Sequence, residues 1–105
     1  MVISRGPSRL IRTKPGEERA TFLREVATIL DTDYSSLDTT ADLVERYGVD
    51  ELEVFEYVQI AEDVWHVVLN PNPMTDADFA EMRHRFSNLD AIITAAEAAR
   101  TRADA

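Results

Sequence analysis

The sequence predicts an all-α fold: a bundle of three main helices and one or two short ones, with a long first loop. Three observations carry this. Apolar residues recur at steps of three and four, helix-starting and helix-ending residues stand between those runs, and no segment alternates apolar and polar as a half-buried strand would. The β-branched run Val67-Val68-Leu69 is too short to carry a sheet by itself.

The first helix is expected to begin at Pro15-Gly16-Glu17, because proline suits a helix start and Glu17 and Glu18 suit the positive end of its dipole. Phe22, Leu23, Val26, Ile29 and Leu30 fall on one helical face, and Asp31-Thr32-Asp33 ends it. A polar loop pinned by Leu37 follows. A short helical turn comes next, with Thr39 or Thr40 as its cap and Leu43, Val44 and Tyr47 as its apolar contacts. Gly48 suits the left-handed residue that terminates such a turn. About 20 residues separate Leu30 from Asp50, longer than the usual connection in an up-and-down bundle.

Asp50, with Glu53 three residues on, reads as the capping start of a second main helix. Leu52, Phe55, Val58, Ala61, Trp65 and Val68 step by three or four and mark its expected buried stripe. Asn70-Pro71-Asn72-Pro73 breaks it, since both prolines lack an N–H and bias the preceding residue away from helix. Thr75 and Asp78 form a capping pair for the next helix, faced by Phe79, Met82 and Phe86. The last helix starts at Ser87 or Asn88 with Leu89, Ile92, Ile93 and Ala96 as its stripe. The chain thus divides into a loose basic arm over 1–15, a helical bundle over 16–100 and a fraying tail over 101–105.

Composition narrows function. The 105 residues suffice for one domain, and the absence of cysteine excludes a disulfide scaffold, a thiol nucleophile and a zinc–thiolate site. No apolar run approaches the length of a membrane span, and no hydrophobic stretch follows the basic start as in a signal peptide, so a cytoplasmic protein is expected. The net charge of −9 opposes nucleic-acid binding. Its distribution is uneven: residues 1–16 hold four basic side chains and no acid, whereas residues 31–81 hold fourteen acids and one base, Arg46. Such an acidic stretch is either a solvated face that aids solubility or a docking surface for basic partners.

Chemistry by the chain's own side chains finds little support. His66 and His84 stand in no metal-binding spacing, three glycines make no phosphate loop, and the carboxylate pairs lie on faces expected to be solvated. Neither a catalytic residue nor a metal ligand is expected, and the protein reads as a non-enzyme.

One constellation stands above this background. The run Tyr47-Gly48-Val49-Asp50-Glu51-Leu52-Glu53, followed by Val54-Phe55-Glu56-Tyr57-Val58, resembles the signature of the acyl carrier protein family. In that family a Leu-Gly-x-Asp-Ser-Leu segment opens the second helix, followed by an acidic residue and, a few positions on, a Glu. Gly48, Asp50 and Leu52 match, Tyr47 stands for the leading Leu, Glu53 and Glu56 match the acids, and Trp65 a late aromatic core position. The resemblance spans roughly residues 17 to 100 and includes the long first loop and the Phe86-Ser87-Asn88-Leu89 turn.

The departure falls on the decisive position. The family's serine, which takes the phosphopantetheine arm, is Glu51 here. A carboxylate at a helix N-terminus is favoured by about 0.3–1 kcal/mol, but it has no hydroxyl with which to form a phosphodiester. The Asn70–Met74 region also looks longer than the family's, where it helps form the acyl cleft. A rival register through Ser36-Leu37-Asp38 would keep a serine, but it comes only six residues after Leu30 and leaves no room for the long loop. The resemblance therefore implies a monomeric carrier-like module of fatty-acid or polyketide-type metabolism, without cofactor. It would dock Asp50, Glu51, Leu52, Glu53, Phe55 and Glu56 on basic surfaces of acyl-processing enzymes. The alternatives are a true carrier modified at Ser36 or Ser87, and an unrelated small helical regulatory or complex subunit.

Overall fold

The computed structural model describes residues 14–70 and 75–104, and among them every regular element is helical. The first helix, α1, runs Glu18–Ile29. It starts from a turn at Pro15-Gly16, where Glu17 N donates to Lys14 O at 3.0 Å. Phe22, Leu23, Val26 and Ala27 are its buried face. Asp31 takes a left-handed conformation at φ 53°, and Thr32 N reaches back to Ala27 O at 3.0 Å, which closes the helix end. Ile29, expected in the stripe, is 40% exposed because it sits at the edge of that face in the last turn.

The long connection is held down rather than loose. A 3₁₀ turn at Tyr34–Ser36 precedes Leu37, which packs half-buried against the core. Asp38 N donates to the Tyr47 hydroxyl at 2.9 Å, and Asp38 Oδ1 accepts from Thr40 N and Thr40 Oγ1. Those two bonds hold the Asp38 carboxyl below its ordinary range. The short helix α2, Leu43–Tyr47, is capped by Asp42, whose Oδ1 accepts from Val44 N and Glu45 N. The expected cap, Thr39 or Thr40, is displaced because the Thr40 hydroxyl is turned to Asp38. Leu43 N donates to Ser87 O and Asp90 N to Thr39 O, so the connection is stitched to the start of the last helix.

The central helix α3 spans Glu51–Trp65 and packs against α1, α4 (Asp76–Arg85) and α5 (Leu89–Asp104). Asp50 caps it, Oδ1 accepting from Glu53 N at 2.9 Å. Val54, Tyr57, Val58, Ile60, Ala61, Val64 and Trp65 are buried. The expected stripe is corrected at both ends: Leu52 is 60% and Val68 81% exposed. The reason is angular. Successive residues turn by about 100°, so each step of three slips about 60° back, and a stripe written 52, 55, 58 moves across the helix. Val68 lies beyond the helix end, where His66 takes the left-handed conformation at φ 56° and the Trp65 carbonyl accepts from Arg100 at 3.0 Å.

Beyond α3 the chain turns back under the Glu62 carboxylate, whose Oε2 accepts from Leu69 N and Asn70 N. Thr75 and Asp78 form the reciprocal capping box expected for α4. Asn88 is the cap of α5, accepting from Ala91 N at 2.8 Å. Leu89, Ile92, Ile93 and Ala96 are all buried. α5 continues to Asp104, through the stretch expected to fray, beyond the Arg100 bond that ties it to α3. The basic arm up to residue 13 and Pro71–Met74 lie outside the described residues. The three longest helices are α1, α3 and α5, with α4 and α2 the shorter ones, so the protein is a small all-helical bundle.

Gly48 ends α2 at φ 66°, and nothing lies within 4 Å of where a Cβ would stand. The space is open, so Gly48→Ala is opposed by backbone strain alone. It is expected to cost about 1–2 kcal/mol in urea unfolding, with the slope unchanged.

Candidate functional site

Three local events set the first turn of α3. Gly48 reverses the chain out of α2, Val49 is buried as an anchor, and the Asp50 cap fixes where the helix starts. Asp50, Glu51 and Leu52 then line one side of an open groove of about 440 Å³. Val44, Val49 and Arg83 complete its lining. Its walls therefore combine three aliphatic side chains, two carboxylates at a helix N-terminus and one guanidinium from α4.

The six residues expected for docking separate into different settings. Asp50, Glu51, Leu52 and Glu56 are exposed, and Glu53 is half-buried. Asp50, Glu51 and Leu52 meet in the groove, whereas Glu53 and Glu56 do not line it. On a helix turning about 100° per residue they fall on the other flank of Leu52. Leu52 thus stands on an exposed ridge with acids to both sides. Phe55 is half-buried and meets the Phe79 ring of α4 edge-on at 5.4 Å, so it serves chiefly to seat α4. Val44, Val49 and Arg83 were not among the expected site residues. Arg83 enters only through the packing of α4 on α3, for which the sequence holds no local signal, whereas the Gly48-Val49 turn beside the Asp50 cap could have flagged Val49.

The groove lining contains no hydroxyl, thiol or imidazole. His66 and His84 are exposed on other parts of the surface. Among the described residues no group of three His, Cys, Asp or Glu could hold a metal ion, and no helix is long and apolar enough to cross a membrane. Of the serines weighed as alternative attachment points, Ser36 is exposed at the end of the 3₁₀ turn and opens no helix. Ser87 is half-buried between α4 and α5, its carbonyl engaged by Leu43 N. The arrangement can bind: the aliphatic floor offers apolar contact, and the charges offer orientation.

Beneath the acidic flank lies Tyr57, fully buried on the core side of α3. Burial, and after it the negative charge of Glu53 and Glu56, pushes its phenol well above the ordinary tyrosine range. The acids of the ridge therefore act on the core below as well as on solvent. No family model, curated protein or solved structure matches the chain.

Tyr57 generates a pH dependence whose sign is fixed. Its folded-state pKa is raised above the unfolded value near 10.0, so its contribution is complete below pH 10 and is lost as pH rises beyond it. Unfolding free energy should fall by about 1.4 kcal/mol per pH unit from this group above pH 10. Comparing Tyr57→Phe with the parent chain in urea melts from pH 8 to 11 should show that component removed.

Proposed function

We propose that this chain is a carrier-protein-like docking module of fatty-acid or polyketide-type metabolism. It presents the start of α3 to basic surfaces of acyl-processing enzymes and carries no phosphopantetheine arm at the family's usual position. One observation carries the reading: Leu52, a large aliphatic side chain 60% exposed, stands among Asp50, Glu51, Glu53 and Glu56 at the capped start of the central helix. An exposed leucine among acids is suited to a partner that brings one apolar contact and several positive charges. Apolar burial supplies affinity there, and charge complementarity supplies encounter rate and selectivity.

The helix pattern supports the family resemblance. Glu51 opens a 15-residue helix, after a long connection and a glycine-ended short helix, as the matching register requires. The rival register is less well supported, since Ser36 ends a three-residue turn. With Glu51 at the attachment position, the module keeps negative charge at a helix N-terminus and has no hydroxyl there to form the phosphodiester of the transferase reaction.

Two experiments test this. Glu53→Lys with Glu56→Lys is expected to lower affinity for basic acyl-processing enzymes about tenfold or more, with helicity by circular dichroism retained. Unchanged affinity rejects the docking face. Intact mass after incubation with a promiscuous phosphopantetheinyl transferase and coenzyme A is expected to show no added arm on the parent chain, and one arm on Glu51→Ser. An arm on the parent chain would make it a true carrier through another serine.

A further inference from the structure

The groove beside Leu52 is built for a basic occupant, and this chain itself contains one. Residues 1–13 hold Arg5, Arg9 and Arg12, no acid, and the aliphatic residues Val2, Ile3, Leu10 and Ile11. Residues 14–105 hold 8 Lys/Arg against 20 Asp/Glu. We propose that residues 1–13 seat on the α3 face of their own chain, with the Ile3–Arg5 stretch at the groove lined by Val44, Val49, Asp50, Glu51, Leu52 and Arg83. This rests on the reading of that face as a docking surface and names an occupant for it when no partner is present.

Reach decides which part of the segment can arrive. The Phe22 ring lies 5.7 Å from that of Trp65, so the start of α1 sits beside the end of α3. The groove lies at the other end, about 22 Å away along a 15-residue helix. Lys14 is held within a turn of α1 by the Glu17 N bond to its carbonyl. Arg19 of α1 also lies 3.5 Å from Asp90, whose N–H is bonded to Thr39 O beside the groove's end of the bundle, so the full length of α3 is the longest path to span. Ten extended residues, back to Ser4, cover about 33 Å and suffice even for that path. A tether of this length supplies the segment at an effective concentration of the order of millimolar, enough for a weak contact to be occupied. A second copy is a poorer occupant, because it would present the same excess of acids to the same face.

The absence of cysteine makes the test direct. Ser4→Cys in the full chain gives one site for a nitroxide spin label, read through amide signals of the ¹⁵N-labelled protein. The expected result is that Val49–Glu56 lose most of their intensity, and recover it at about 1 M salt, where the Debye length is about 3 Å. Arg5→Glu with Arg9→Glu and Arg12→Glu should restore the same signals, with the circular dichroism of the bundle retained. Even broadening over the whole surface, no loss at 49–56, or loss that persists in the triple variant overturns the proposal. Loss transferred to unlabelled ¹⁵N protein in a mixed sample also overturns it, in favour of a second copy. No partner enters this experiment, so its failure is distinct from failure of the partner-affinity test above.

Discussion

The burial of α3 on three sides is the constraint from which the rest follows. α1, α4 and α5 each pack against it, and its seven buried residues form one continuous face of about 160° at 100° per residue. Fully burying one such side chain is favourable by about 1.5–3 kcal/mol, so the position of α3 fixes those of its neighbours. Trp65 joins two of them, meeting Phe22 of α1 and accepting at its carbonyl from Arg100 of α5. Phe55 joins the third through Phe79. The rest of α3 is half-buried except at Glu51, Leu52 and Glu56, which are exposed near its start. A helix held on three sides presents those residues rigidly, a useful property in a recognition surface because little ordering is needed on contact.

What was legible in the sequence was local. Gly48 in the left-handed conformation, the Asp50 cap, the Thr75–Asp78 box and the α5 stripe all depend on residues within a few positions of one another. The errors come from longer reasoning. A run of three- and four-residue steps puts Leu52 and Val68 on the core stripe, but the slip of such a run across the helix carries Leu52 to the solvent side, and the helix ends before Val68. The Asp42 cap is hidden in the sequence because Thr39 and Thr40 are cap residues too, and only the structure shows the Thr40 hydroxyl taken by Asp38 and the Val44 N–H by Asp42. Arg83 was invisible as a groove residue because its place depends on how α4 lies on α3.

The long first connection illustrates how a polar loop is ordered without being buried. Its later half is fixed by backbone bonds to the α4–α5 junction, Leu43 N to Ser87 O and Asp90 N to Thr39 O. Its middle is fixed by the Tyr47 hydroxyl on Asp38 N. Tyr47 also belongs to α2, next to the glycine that sets the direction of the chain into α3. The loop, the short helix and the candidate site are thereby mechanically continuous, and the short helix has a role beyond its own marginal stability: it holds Val44 and Val49 at the groove.

The acids around Leu52 answer two demands that pull in opposite directions. An exposed leucine invites self-association, because covering it removes apolar surface from water. Like charges around it oppose that contact between copies and favour contact with a basic surface. Removing the leucine would leave a solvated acidic ridge with little to bind tightly, whereas removing the acids would leave an apolar spot that binds indiscriminately. Placing Glu51 at the helix N-terminus adds negative charge where the dipole favours it, so the charge is gained without a folding penalty. The same ridge bears on Tyr57 beneath it, whose ionisation is opposed first by burial and then by the charges of Glu53 and Glu56. The phenol is neutral below pH 10 whether or not the chain is folded, so these two carboxylates bear on the core only in alkaline solution, whereas they charge the exposed face over the whole range in which they are ionised.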